Sequence, residues 1–357
     1  MKILIDIGHP GHVHYFRNFY KIMKSKGHDF LFISRDKEVT FSLLNYYKIP
    51  YKSRGKGKKS FLGKLFYILY ADYIILKNAL KFKPDIFLSF SSTYMGHVAF
   101  LMRKPNVIID DTEHAKFEHI MYKPFASVIL TPSCFYKNMG EKQIKFNSYT
   151  ELFYLHKNYF NPKKEILNIL GVKEEEKFAI IRFVSWGASH DFGHSGFNNI
   201  SKLEIIKEID KHIKVFITSE TKLPPELEKY RIKISPEQLH DALKYSSIYI
   251  GEGGTTASET SILGIPTLYI NSIPLMGYLK DEEKLGILHY FKNELGVLAK
   301  TLEILNDSNY SEKYNLKAQK LIKNKIDPTS FLVWFIENYP ESVKIMRENP
   351  DYQNNFR

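Results

Sequence analysis

Short apolar runs rich in β-branched and aromatic residues alternate along this chain with longer stretches whose apolar positions recur at helical spacing. That alternation predicts βαβ units and parallel sheets. Residues 1–7 read as a first strand, 15–26 as a helix stopped by Gly27, and 29–34 as a second strand. The series continues through "KPDIFLSF" (83–90), "PNVIID" (105–110) and "SVILTPS" (127–133). A charged stretch, "NPKKEILNILGVKEEEK" (161–177), then interrupts it, and the pattern restarts with strand-like runs at 178–186, 213–220, 231–235, 246–254 and 264–271. The expectation is an α/β protein of two doubly wound, Rossmann-like halves, residues 1–165 and 166–327. An aromatic-rich helical tail, 328–357, would pack back on the first half.

Composition narrows the possible partners. At 357 residues and 44% hydrophobic, the chain has material for two cores. A net charge of +12 favours anionic ligands or surfaces. Cys134 is the single cysteine, so an intramolecular disulfide and a cysteine-based zinc site are excluded, and a reducing cytoplasm is the expected setting. The opening apolar run is too short for a signal-peptide core, and no run approaches the ~20 apolar residues of a membrane span.

In open parallel sheets, ligands bind beyond the carboxyl ends of the strands, so the loops that follow them are the candidate sites. "GEGGTTASETSILGIP" (251–266) reads as strand, glycine loop, short helix, glycine stop and proline. Unpaired N–H groups at the helix start, beside Gly253 and Gly254 and the hydroxyls of Thr255 and Thr256, form an anion site suited to a diphosphate. The competing reading is local: Thr256 and Glu259 have the spacing of a capping box.

This motif resembles the donor-binding signature of the GT-B glycosyltransferases, which have two facing Rossmann-like domains and an interdomain cleft. It is most similar to that of the lipid-linked N-acetylglucosaminyl transferases of peptidoglycan synthesis and of the UDP-N-acetylglucosamine 2-epimerases. The resemblance extends over almost the whole chain, while the acceptor loops suggest a domain-of-unknown-function branch. It implies that Glu259 holds the ribose hydroxyls and that Gly253, Gly254, Thr255 and Thr256 cradle the diphosphate. A carboxylate facing a vicinal diol is suited to that task.

The first-half loop "GHPGHVHYF" (8–16) lacks the third glycine of a dinucleotide fingerprint. By resemblance, Gly11 and His12 match the end of a glycine-glycine-histidine turn, which makes His12 the base or the acceptor-orienting group. A helix amino end disfavours the imidazolium, so a neutral ring is expected there. Zinc on His9, His12 and His14 is the rival reading, without a supporting carboxylate pattern. In "SFSSTYMGHV" (89–98), Ser92, Thr93 and His97, with Ser91 and Gly96, resemble a sugar-contacting loop; a polar turn capping a helix is the alternative. "DDTEH" (110–114) crowds three carboxylates, a candidate for acid-base work or a solvated acidic turn. Asp111 and Glu113 are its catalytic candidates, Glu113 by likeness to the epimerases. "RFVSWGASHDFGHSG" (182–196) nominates Arg182, Ser185 and Ser189 against donor phosphates by resemblance, although Arg182 could equally be a paired residue on a strand.

Lys52, Arg54, Lys56, Lys58, Lys59 and Lys64 precede an aromatic-aliphatic helical run. They form either a solvated loop or a contact with anionic lipid. No aromatic RNA-binding platform accompanies them, and nucleic acid is not an expected partner. The resemblance implies a metal-independent, cytoplasmic glycosyltransferase, peripheral at the inner face of the membrane. It would need no cofactor, because the nucleotide sugar is its substrate, and its acceptor would be a glycan or lipid-linked molecule. A nucleotide-sugar 2-epimerase and a non-catalytic nucleotide-sugar binding protein are the alternatives.

Overall fold

The computed structural model describes residues 1–58, 60–184, 199–220 and 222–357. The chain divides into two compact units, Met1–Tyr159 with Lys325–Arg357, and Phe160–Asn324. In the first, β1 (Lys2–Ile7), β2 (Asp29–Ser34), β3 (Tyr51–Ser53), β4 (Ile86–Phe90), β5 (Asn106–Ile109), β6 (Val128–Pro132) and β7 (Gln143–Phe146) form a sheet ordered β3-β2-β1-β4-β5-β6-β7. Every pairing is parallel; Ile3, for example, lies opposite Phe30 on one side and Ile86 on the other. The second unit holds β8 (Phe178–Phe183), β9 (Lys214–Ser219), β10 (Ile248–Gly251), β11 (Thr267–Ile270) and β12 (Leu288–Phe291), ordered β12-β11-β10-β8-β9 and again parallel.

β3, β7 and β12 are absent from the sequence expectation, and all three are sheet edges. An edge strand is not enclosed on both faces, so it lacks the continuous apolar run that marks a central parallel strand. The expected strand at 231–235 is reduced to a single bridge between Arg231 and Ile217. The first helix also differs: it spans Pro10–Ser25 rather than starting at Tyr15, with Pro10 in its first turn and His9 as N-cap. A histidine cap lies outside the usual Ser, Thr, Asp and Asn signal, which is why the pattern placed the start too late.

One core cluster of the first unit joins Leu4, Ile33 and Phe87 of the sheet to Ile75 and Ala79 of the helix Phe61–Phe82. Met95, Val98 and Ala99 of the helix Thr93–Leu101 complete it. The C-terminal segment is tied to the same unit: Ile326 N–H donates to the Asn147 carbonyl at 2.9 Å, and Ser148 Oγ donates to the Ile326 carbonyl at 2.9 Å.

A carboxylate interrupts the apolar β1 strand and organises the sheet's carboxyl edge. Asp6 is 1% exposed and receives the Arg54 guanidinium through two bonds, Nε to Oδ1 at 2.8 Å and Nη2 to Oδ2 at 3.2 Å. Arg54 also donates to the Tyr67 hydroxyl at 2.7 Å and lies over the Tyr94 ring at 4.7 Å. Ser92 Oγ donates to Asp6 Oδ2 at 2.6 Å while capping the helix Thr93–Leu101. Arg54 is therefore not part of a basic surface run as expected from sequence; it is 2% exposed and committed to the core. Removing either partner of such a pair strands a buried charge. Asp6→Ala and Arg54→Ala are each expected to lower unfolding free energy by about 3–5 kcal/mol in urea melts. The double variant should lose much less than the sum of the two.

Candidate functional site

The strand order reverses direction between β1 and β4 in the first sheet, and between β8 and β10 in the second. At such switch points the loops splay apart and leave a crevice beyond the strand ends. The strand-to-helix segments that flank them are 8–12 and 91–93 in one unit, and 252–254, with Val184 at the end of β8, in the other.

In the first crevice the three histidines of 9–14 diverge. His9 Nδ1 accepts from Gly11 N–H at 3.1 Å, and His12 Nδ1 accepts from Gly8 N–H at 3.2 Å. His14 is buried and lies 3.2 Å from Arg17 through its own Nδ1. Burial, followed by the charges of Lys37 and Arg54, pushes the His12 pKa down to about 3. The ring is therefore neutral at physiological pH, and the Gly8 bond fixes its tautomer with the proton on Nε2. His12 thus offers a hydrogen-bond donor, like an orienting group, rather than a basic lone pair. Its ring packs on Phe90 at 5.0 Å.

Ser92 is engaged twice, as helix cap and as donor to Asp6, which assigns it to the capping reading. Thr93 begins that helix, half-buried. His97 lies one turn further along and pairs with Asp72 of the helix Phe61–Phe82 at 2.8 Å, against Phe125. Its place is in helix packing rather than at the strand ends.

The 110–114 loop is not a solvated turn. Asp110, Asp111 and Glu113 are 0%, 7% and 1% exposed. Asp110 accepts from Thr112 N–H at 2.9 Å and from the Tyr122 hydroxyl, with His119 Nε2 at 2.9 Å. Glu113 accepts from Tyr136 N–H at 3.3 Å. Asp111 accepts from the hydroxyls of Thr112 and Thr150. Burial, reinforced by Asp110 and Glu113 against those hydroxyls, lifts its pKa to about 7. Such a carboxyl exchanges a proton readily near neutral pH.

In the second unit the helix Gly254–Ile262 is capped by Gly253 with no side-chain cap bond. Thr256 is thus inside the first turn, and the capping box of the competing reading does not form. The first intrahelical acceptor serves Ala257, whose N–H donates to the Gly253 carbonyl at 3.0 Å, so the N–H groups of Gly254, Thr255 and Thr256 lead the helix as an anion-binding end. The backbone at 253 and 254 is closely approached: a Cβ would lie 3.2 Å from Val184 at the first and 3.1 Å from Met276 at the second, so a larger residue would need those side chains to give way. Glu259 is 5% exposed and pairs with His240 Nε2 at 2.9 Å. Arg182 donates to Thr218 and to Glu220, each at 3.0 Å, and so is the paired strand residue of the alternative reading, beside Gly253. Ser185 and Ser189 lie outside the described residues.

Sequence reasoning missed three buried polar residues behind this helix. Glu252 accepts from Val184 N–H at 3.1 Å, which joins the two loops of the switch point. His240 reaches Glu259 from the helix Leu239–Tyr245. Glu282, fully buried on the helix Gly277–Lys284, accepts from Ser258 at 2.5 Å. Burial, against the Ser258 and Ser261 hydroxyls, pushes its pKa up to about 8. In "KDEEK" it carried no signal that distinguished it from a solvated charge.

A family model described as "Protein of unknown function (DUF354)" matches residues 1–340. An uncharacterized protein of Methanocaldococcus jannaschii is 28% identical over 329 residues, 85% of this chain and 94% of its own length. Among solved structures, the UDP-GlcNAc 2-epimerase of M. jannaschii in complex with UDP-GlcNAc and UDP gives a TM-score of 0.63 at 12% identity. The match covers 88% of this chain and 98% of that one. The Streptomyces sp. SF2575 glycosyltransferase SsfS6 gives 0.58 at 14% identity, over 95% and 100%. These likenesses establish the GT-B fold.

Glu282 makes stability fall as pH rises. Between the ordinary value of 4.5 and about 8, the unfolded chain releases a proton that the folded chain keeps. The thermal midpoint of the native protein should therefore drop relative to Glu282→Gln across that window, and the gap should level off above it. A pH series of calorimetric melts on both proteins measures this; a constant gap would place the ionised form in the folded state.

Proposed function

The chain belongs to the DUF354 family and has the GT-B fold, and from that premise we propose that it is a glycosyltransferase using a nucleotide-sugar donor, with UDP as the carrier. The observation that carries the reading is Glu259, a buried carboxylate in the interior of a helix whose leading N–H groups present an anion site. Freed from a capping role, the carboxylate suits a ribose diol, and the loop 253–256 suits the diphosphate.

In the proposed reaction the first unit serves the acceptor and the second the donor. Asp111 takes the proton of an acceptor hydroxyl, whose oxygen attacks the anomeric carbon. The bond from that carbon to the diphosphate oxygen breaks, and the amide dipoles at Gly254–Thr256 stabilise the departing nucleoside diphosphate. His12 donates from Nε2 to an acceptor oxygen and orients it. No metal enters the scheme. The buried set Asp111 and Glu113 also favours a second reading, a 2-epimerase, which acts on the donor alone, whereas a binding protein would turn over nothing.

Thermal-shift screening with UDP, GDP, CMP and their sugars tests the donor site: stabilisation by a uridine nucleotide that is weakened in Glu259→Ala is the expected result. No shift with any nucleotide would sink the proposal. Asp111→Asn should lower kcat by about 10²–10⁴ with donor affinity retained, and His12→Ala by a smaller factor. Wild-type kcat should decline as pH falls through about 7, because the base is then protonated. Donor consumption with and without a lipid extract separates the transferase from the epimerase.

We assign the lipid-facing role to the helix Phe61–Phe82. Phe66, Leu69, Tyr70 and Tyr73 are 49–70% exposed on one face of it, and exposed Lys58 packs against its start at Gly63. Lysines beside exposed aromatics complement an anionic bilayer. Among the described residues no helix is long and apolar enough to cross a membrane, so the contact would be peripheral. Sedimentation should occur with phosphatidylglycerol vesicles and not with phosphatidylcholine vesicles, and about 0.5 M salt should weaken it. Binding that survives Phe66→Ser with Leu69→Ser would remove the helix from this role.

A further inference from the structure

The helix Leu239–Tyr245 grips the helix Gly254–Ile262 at two points in register. His240 Nε2 meets Glu259 Oε1 at 2.9 Å, and Lys244 Nζ donates to the Leu263 carbonyl at 2.8 Å. The two donors stand one turn apart on one helix, and their acceptors one turn apart on the other. The contacts differ in kind. Lys244 satisfies a carbonyl at the end of the helix, whereas His240 reaches Glu259, the side chain read above as the ribose ligand.

His240 and Glu259 are both buried, at 3% and 5% exposure. A carboxylate in that setting loses its function if it rotates about its last torsion, which is broad for glutamate. An imidazole N–H on Oε1 opposes this, because the bond fixes the carboxylate plane. The Phe160 ring stands edge-on to the imidazole, 6.4 Å between centroids, and limits its swing.

We propose that His240 is the positioning residue for ribose recognition: it holds the Glu259 carboxylate in the plane that a vicinal diol requires. The assignment rests on the reading of Glu259 as the ribose ligand. It makes a claim that this reading lacks: discrimination between ribose and 2′-deoxyribose depends on a histidine that need not touch the nucleotide. The bond balance is simple. Each ribose hydroxyl donates to the carboxylate, and the imidazole N–H donates to the same group from behind, with no proton transferred.

The test is calorimetric titration of the full chain with UDP and 2′-deoxy-UDP, in wild type, His240→Ala, His240→Gln and Lys244→Met. Wild type is expected to prefer UDP by at least about tenfold. His240→Ala should bring that ratio close to one while still binding 2′-deoxy-UDP at nearly wild-type strength. His240→Gln, which retains an N–H donor, should restore part of the ratio and also serves if the alanine variant does not fold. Lys244→Met, which loosens the helix pair without touching the carboxylate, should lower the melting temperature and leave the ratio intact.

A ratio unchanged in both His240 variants overturns the proposal and leaves the donor site standing. A ratio lost equally in Lys244→Met overturns it as well, since helix register alone would then be responsible. Absence of UDP binding in wild type, or binding without discrimination, overturns the ribose reading and this assignment with it.

Discussion

The first unit depends on a charge placed where a charge is costly. Asp6 lies in the middle of a sheet that is otherwise apolar at β1, and burial of its carboxylate is tolerable only because Arg54 meets both oxygens and Ser92 adds a third bond. Through that one group, the end of β1, the segment after β3 and the cap of the helix after β4 are held to a common point. Tyr67 and Tyr94 enclose the guanidinium, so the helix Phe61–Phe82 is drawn in as well. The 8–12 loop rests on this assembly: a Cβ at Gly8 would lie 3.6 Å from Arg54. The tautomer and charge of His12 follow, because the Gly8 N–H sets the first, and burial, reinforced by Lys37 and Arg54, sets the second.

The second unit solves a related problem differently. Three carboxylates, Glu259 within the short helix Gly254–Ile262 and Glu252 and Glu282 beside it, are each nearly inaccessible to water. Glu252 receives a backbone N–H and faces Lys202, Glu259 faces His240, and Glu282 has a serine hydroxyl and stays protonated at neutral pH. The helix is only nine residues long and is rich in Thr and Ser, which makes it weak by propensity. Its position is therefore set by side-chain hydrogen bonds from the elements around it. That arrangement keeps its amino end free of side-chain caps, the condition for an anion to bind there.

The division between strand-end loops and supporting elements also explains which candidate residues moved. His12 and Asp111 stand just beyond strand ends, and Glu259 lies in the helix that follows β10; burial lowers the His12 pKa and raises that of Asp111, and His240 meets Glu259. Ser92, His97 and Arg182 are polar residues of the same loops and elements, and they are tied to Asp6, to Asp72, and to Thr218 and Glu220. A loop can be correctly placed at a site while some of its polar residues hold the loop rather than face the ligand.

The parallel α/β class, the two-sheet organisation, the central strands and the loops that flank the switch points were legible in the sequence, because buried parallel strands and glycine-interrupted turns impose local patterns. What the polar residues do was settled by packing. Arg54 left the basic run because Asp6 lies 48 residues away in sequence and within 3 Å in space. Glu259 left the capping box because the helix begins at Gly254 under a glycine cap. His240 meets Glu259 and Glu282 meets Ser258 because other helices carry them there. Hydrogen bonding and desolvation act over a few ångströms irrespective of chain separation, so charge state, tautomer and partner are properties of the packed neighbourhood and have no local signature to read.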